Sequence, residues 1–157
     1  MSSEKQPASI LSSSSLRIGI IASRFNRSLT DSLLRRVSSC ISENGNPESL
    51  IIERVPGAHE IPAALSLLLK SNKFSCMIGL GVVIKGSTSH HHLVAESAGN
   101  AIQSLIIKFN VPIINGIVVT DHIDDAEERI NGKLDRGHEF AQAAIEMGHL
   151  HTKWTKT

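Results

Sequence analysis

The chain has 157 residues, 41% of them hydrophobic and 20% charged, with a formal net charge of +1. That length and balance suit one compact globular domain, and a near-neutral chain without a run of one charge sign excludes an electrostatic surface for nucleic acid or membrane. No apolar stretch approaches the roughly 18 residues of a membrane span, and residues 1–15 lack a basic segment leading into an apolar one, so a cytoplasmic protein is expected.

Residues 1–15 end in Ser12-Ser13-Ser14-Ser15 and read as a flexible arm, or as an edge strand added in an assembly. Residues 16–157 read as a single domain. Arg17–Ser23 (RIGIIAS) is a short β-rich run suited to a strand covered on both faces. Leu29, Leu33, Val37 and Ile41 recur every four residues, a helical stripe that Gly45-Asn46-Pro47 stops. Ser49–Val55 is a second strand, ended by Pro56-Gly57, and Ile61, Leu65, Leu68 and Leu69 form a second helix face. Ser75–Ile84 (SCMIGLGVVI) is a third strand, followed by a helix over Leu93–Phe109 with Val94, Ala98, Ala101, Leu105 and Ile106 on one side. Val111–Thr120 is a fourth strand with Pro112 near its start, where a missing donor is tolerated. Two further helices are expected, over Ile123–Ile130 and Arg136–His151. Cys40 and Cys76 lie in apolar runs without metal-ligand spacing and read as small core residues.

Four continuous apolar strands separated by helices imply a parallel sheet covered on both faces, a three-layer α/β/α sandwich of the flavodoxin-like kind with right-handed crossovers. Ligands of such sheets bind at the carboxyl ends of strands. Those ends hold Arg24-Phe25-Asn26, Pro56-Gly57-Ala58-His59-Glu60, Lys85 to His92, and Thr120-Asp121-His122. Polar, aromatic and glycine residues thus gather where the fold puts a pocket. Gly86-Ser87-Thr88 precedes a helix and is suited either to an anion or to capping that helix. Gly81 and Gly86 have the Walker A separation, but Ser87 occupies the position of the essential lysine, so the segment is not a P-loop. Glu60 suits a helix first turn or a ligand hydroxyl. Phe25 suits stacking or the core, and Arg129 and Arg136 suit an anion or the solvated surface. Consecutive histidines at a helix start point in different directions, so His90-His91-His92 is not expected to hold a metal. A single histidine acting as acid and base is the more productive reading, and solvent-exposed rings are the plain one.

Assembled, these segments resemble the lumazine synthase family. Val55-Pro56-Gly57-Ala58-His59-Glu60-Ile61-Pro62 is similar to its VPGAxEIP segment, and Gly81 to His90 (GVVIKGSTSH) is similar to its G-x-V-I-R/K-G-x-T-x-H segment. Arg24-Phe25-Asn26, Gly116 to Thr120 and Ala144-Ile145-Glu146-Met147 match further family segments, in order, between about Arg17 and Leu150. The resemblance implies condensation of 5-amino-6-ribitylaminouracil with 3,4-dihydroxy-2-butanone 4-phosphate, the penultimate step of riboflavin biosynthesis, without cofactor or metal. It implies a homo-oligomer, a pentamer or an assembly of pentamers, with each site shared between neighbours.

The same resemblance makes His90 the catalytic acid and base. Phe25 stacks on the uracil ring, Asn26 and Glu60 bind the ribityl chain, and Gly86, Ser87, Thr88 and Arg129 hold the phosphate. Arg136 lies where the family usually has a lysine near the ribityl chain. Ala58, Val82, Val83 and Ile84 complete the substrate contacts. His59 and Asn115 stand where the family usually has aromatics, His92 where an acidic residue is common, and Leu93 where a tyrosine is. These departures keep open a second reading, a paralogue that binds flavin or lumazine without turnover.

Overall fold

The computed structural model of the chain describes residues 2–5, 7 and 11–156. Of the expected arm, residues 1, 6 and 8–10 lie outside the described residues. Its last residues are anchored: Ser13 is buried, its hydroxyl lies 2.8 Å from the carbonyl of Ile41, and its amide donates to Asn44 O at 2.9 Å. The described residues of this segment form no strand within the chain.

Four strands, β1 (Arg17–Ser23), β2 (Ser49–Val55), β3 (Cys76–Ile84) and β4 (Ile113–Thr120), pair entirely in parallel in the order β2-β1-β3-β4. Five helices cover them: α1 (Arg27–Glu43), α2 (Ile61–Ser71), α3 (His90–Phe109), α4 (Ile123–Asn131) and α5 (Arg136–Thr155). A 3-10 turn over Ala58–Glu60 leads into α2. Successive strand residues face opposite sides, which divides the core in two. Ile18, Ile20, Ala22, Cys76, Ile78 and Leu80 pack with Leu33, Val37 and Ile145 against α1, α4 and α5. Ile21, Met77, Ile113 and Ile117 pack with Ile61, Leu65 and Ile102 against α2 and α3. Both faces are buried, which is why the strands are apolar throughout rather than alternating. This is the expected three-layer flavodoxin-like sandwich.

Close packing explains one glycine. A Cβ at Gly79 would stand 2.8 Å from Ile61 Cγ2, so only glycine lets α2 approach β3 this closely. Cys40 and Cys76 are buried free thiols as expected, and burial pushes the Cys76 thiol up to about 12.

The boundaries differ where the carrying signal was tertiary. Helix α3 starts at His90 rather than Leu93, so the histidines form its first turn. Its fully buried apolar side chains are Ala98, which the expected stripe includes, and Ile102, which it omits, while Val94, Ala101, Leu105 and Ile106 are half-buried. Strand β4 starts after Pro112, whose carbonyl accepts from Met77 N at 2.9 Å. Helix α5 runs one turn beyond His151, to Thr155. Among the described residues, no helix is long and apolar enough to cross a membrane.

Candidate active site

The order β2-β1-β3-β4 reverses direction between β1 and β3, since the chain leaves β1 for one edge and returns to β3 on the other side. Carboxyl ends of strands diverge at such a switch point and leave a crevice. A cavity of about 510 Å³ lies there, within the size range of small-molecule sites. Phe25 and Asn26 line it from β1, Pro56 to Glu60 from β2, Val82 to Thr88 apart from Lys85 from β3, and His90, His91 and Val94 from α3.

Each wall has a local cause. Asn26 takes the left-handed conformation (φ 49°) at the start of α1, and its Nδ2 donates to Val82 O at 2.8 Å. Asparagine tolerates this backbone region better than most residues. The bond ties the β1 turn to β3 where the two strands no longer pair. Their register ends at Ala22 with Leu80, whereas β3 continues to Ile84, leaving the edge Gly81–Ile84 without a β1 partner. Backbone donors and acceptors therefore line one side of the crevice.

At the β2 end, Glu60 Oε2 accepts from Gly57 N at 2.8 Å, closing the 3-10 turn in a capping arrangement. The capping role expected of this residue is thus real. His59 is exposed, with Nε2 3.3 Å from Ser97 Oγ. Ala58 is buried. Phe25 is 73% exposed, which rules out the core reading and leaves its ring face open at the cavity.

At the β3 end, Gly86, Ser87 and Thr88 are exposed, and a Cβ built at Gly86 would meet no atom within 4 Å. Thr88 Oγ1 accepts from His90 N at 3.4 Å, while Ser89, the residue at the helix cap, makes no side-chain cap. The loop and the first turn of a 20-residue helix thus present amides and hydroxyls to the cavity, an arrangement that favours anions. His90 is exposed at its lip. His91 is not the solvent-exposed ring of the plain reading: it is buried, and Nδ1 lies 3.3 Å from Thr88 O.

Three expected residues lie elsewhere in the chain. Asn115 is exposed on the α3 side of β4, where its Oδ1 accepts from Ile117 N at 3.1 Å. Arg129, on α4, donates to Asp125 O at 3.1 Å and does not line the cavity. Arg136 is buried, paired with Glu139 and in contact with Ser2 O. Conversely, Pro56, Gly57, His91 and Val94 line the cavity without having been assigned to it. The Pro-Gly turn was visible in the sequence, and Val94 follows His90 by one helical turn. Nothing in a run of three histidines indicates which ring turns inward.

The model of the family described as 6,7-dimethyl-8-ribityllumazine synthase matches residues 15–152. Two similar relatives, both called 6,7-dimethyl-8-ribityllumazine synthase, come from Prochlorococcus marinus strain MIT 9515 and from P. marinus subsp. pastoris strain CCMP1986. Each is 37% identical over 147 residues, covering 90% of this chain and 93% of the relative. The match takes in every strand and all the walls of the cavity, and the chain belongs to the 6,7-dimethyl-8-ribityllumazine synthase family.

Proposed function

We propose that the β1/β3 cavity condenses 5-amino-6-ribitylaminouracil with 3,4-dihydroxy-2-butanone 4-phosphate, forming 6,7-dimethyl-8-ribityllumazine in riboflavin biosynthesis. Family membership supports this transferase reaction over a non-catalytic binding role. The observation that carries the site assignment is the meeting of an exposed aromatic face, an open strand edge, an anion-suited loop and an exposed histidine in one crevice.

The uracil ring stacks on Phe25 and lies along the edge of Val82, Val83 and Ile84, whose backbone groups pair with its planar donors and acceptors. Ala58 and His59 form the floor and rim of this half. The ribityl hydroxyls reach Asn26 and the Glu60 carboxylate, which keeps acceptor capacity beyond its bond to Gly57. Gly86, Ser87 and Thr88 receive the phosphate. The substrate amine attacks the ketone to give a carbinolamine, which loses water to form an imine. Phosphate elimination, ring closure and a final dehydration follow. Several of these steps move a proton, and His90 at the lip is placed to carry it. Holding two reactive molecules together supplies much of the remaining acceleration.

The active form is a ring of five chains or a larger assembly of such rings, located in the cytoplasm, with residues 16–157 as the working domain and 1–15 as an arm. Leu67, Leu93 and Ile107 are large apolar side chains left exposed on α2 and α3, consistent with covered faces in an assembly. Arg129, Arg136 and Asn115 lie off the cavity of their own chain and serve the site of a neighbour. Arg129 completes the phosphate site, and Arg136 opens from Glu139 to approach the ribityl chain.

The test supplies both substrates to the purified protein and follows lumazine and phosphate together. One phosphate per lumazine, with no added cofactor and after chelation, is the expected result. Tight binding of lumazine or flavin without turnover would replace this reading with the non-catalytic one.

A further inference from the structure

The sequence offers three consecutive histidines, and the fold separates them. His90 faces the cavity lip, whereas His91 and His92 meet Asp121 from the loop after β4. Potential ligand atoms of these last three all lie within 4.8 Å of one another. The two imidazole rings stand 3.9 Å apart between centroids at an interplanar angle of 39°, so adjacent helical residues here do converge.

The decisive group is His91. Its Nδ1 lies 3.3 Å from the carbonyl of Thr88, which only accepts, so the proton of the neutral ring is on Nδ1 and the lone pair is on Nε2. That Nε2 is buried, has no hydrogen-bond partner, and lies 3.7 Å from Asp121 Oδ1. With the ring neutral, a buried acceptor nitrogen therefore faces an exposed carboxylate oxygen, an arrangement that an electropositive centre between them stabilises. A ring whose second nitrogen donates to a backbone carbonyl is the usual orientation of a metal-ligating histidine.

We propose that His91, His92 and Asp121 form a binding site for a divalent transition ion of the zinc, nickel or copper class, separate from the catalytic group His90. Two imidazoles and one carboxylate match the borderline character of these ions and do not suit calcium or magnesium, which take oxygen ligands. Metal–ligand bonds of about 2.0–2.2 Å require neighbouring ligand atoms about 3.3 Å apart in a tetrahedron. The buried His91 ring serves as the fixed ligand. The exposed His92 and Asp121 side chains close the remaining distance by rotation. Three protein ligands leave at least one position for water. The site does not depend on the condensation reaction assigned above.

The test uses the untagged full-length protein, stripped with chelator and titrated with zinc against a chromophoric competitor, with cobalt as a spectroscopic substitute. The expected result is one tightly bound zinc per chain and visible cobalt bands of low-symmetry coordination. His92→Ala and Asp121→Asn should each weaken binding by about tenfold or more, by analogy with the loss on disturbing even outer-shell groups. Both positions are exposed, so these variants should fold. His90→Ala should bind zinc as the wild type does. Absence of stoichiometric zinc, or zinc affinity untouched by both His92→Ala and Asp121→Asn, overturns the proposal. Loss of zinc in His90→Ala alone would move the site to the cavity lip and overturn it equally.

Discussion

The cavity lip and the α4–α5 turn use their polar groups in opposite ways. At the lip, Phe25, His59, Thr88 and His90 are exposed, and bonds such as Asn26 to Val82 tie only the backbone frame. Around the α4–α5 turn, charged groups are occupied within the chain. Arg36 meets Asp135 through two parallel bonds, Nε to Oδ1 at 2.9 Å and Nη2 to Oδ2 at 2.6 Å. Asp135, left-handed at φ 47°, also accepts from His138 N at the start of α5, and Arg129 and Arg136 are engaged with Asp125 and Glu139. Groups already satisfied by their own chain hold elements together, and groups left to solvent remain available to ligands.

The sharpest way to break this contrast is at His90. His90→Ala should lower kcat by about ten- to a thousandfold with little change in KM, and should leave the unfolding midpoint where it was. A variant with wild-type turnover would remove His90 from proton transfer.

Arg129 tests whether an occupied group belongs to a second site. Arg129→Ala should raise KM for the keto-phosphate by about tenfold or more, with a much smaller change for the uracil substrate, since a charge-assisted contact to phosphate contributes about 1.5–3 kcal/mol. Mixing unfolded His90→Ala and Arg129→Ala chains equally and refolding them should restore about one quarter of wild-type activity, because random neighbours in a ring leave that share of interfaces with both groups intact. Recovery no better than the mean of the two parents, with rings confirmed by mass, would place both groups in one chain.

Asp135 should behave in the opposite sense. Asp135→Ala removes the α5 cap and the Arg36 pair, and is expected to cost about 1–2 kcal/mol in urea unfolding, with kcat per folded chain unchanged. A large loss of kcat would show that the turn supports the cavity directly.

The smallest effect is the pH dependence of that loss. The Arg36 guanidinium holds the Asp135 carboxyl below its ordinary value, against the opposing effect of burial. A carboxylate with a lowered folded pKa contributes fully above its unfolded value of about 3.9, and the contribution disappears as pH falls through the folded pKa. The stability gap between the wild type and Asp135→Ala should thus be constant from pH 7 to about 5 and narrow below pH 4. A gap that widens on acidification would contradict the assignment.

How much of this was legible before folding depends on whether the signal was local. The stripe of Leu29, Leu33, Val37 and Ile41 is buried throughout, because four-residue spacing alone specifies a helix face. The motif around Glu60 was legible both as a cap and as a ligand group, and the cap is present. Arg129 and Arg136 were legible only as cations: a helical arginine carries no local mark of whether it reaches its own cavity. Ile102 lies four residues after the buried Ala98 and shares its helix face by period, and the crossing of α3 over the sheet decides only that this side is buried more deeply than Leu105 and Ile106.

The sequence by itself determined the alternation of apolar strands and amphipathic helices, and hence a parallel sheet with both faces covered, since periodicity and turn chemistry act within a few residues. It also determined the family, because the motif segments occur in register along the chain. Tertiary structure decided what depends on distant parts meeting. The order β2-β1-β3-β4 opens the crevice, and Asn26 ties itself to Val82 across 56 residues of chain. His91 turns inward toward Asp121 while His90 remains outside. Three identical side chains in a row carry the same local information, and only the surroundings that the fold supplies make them different.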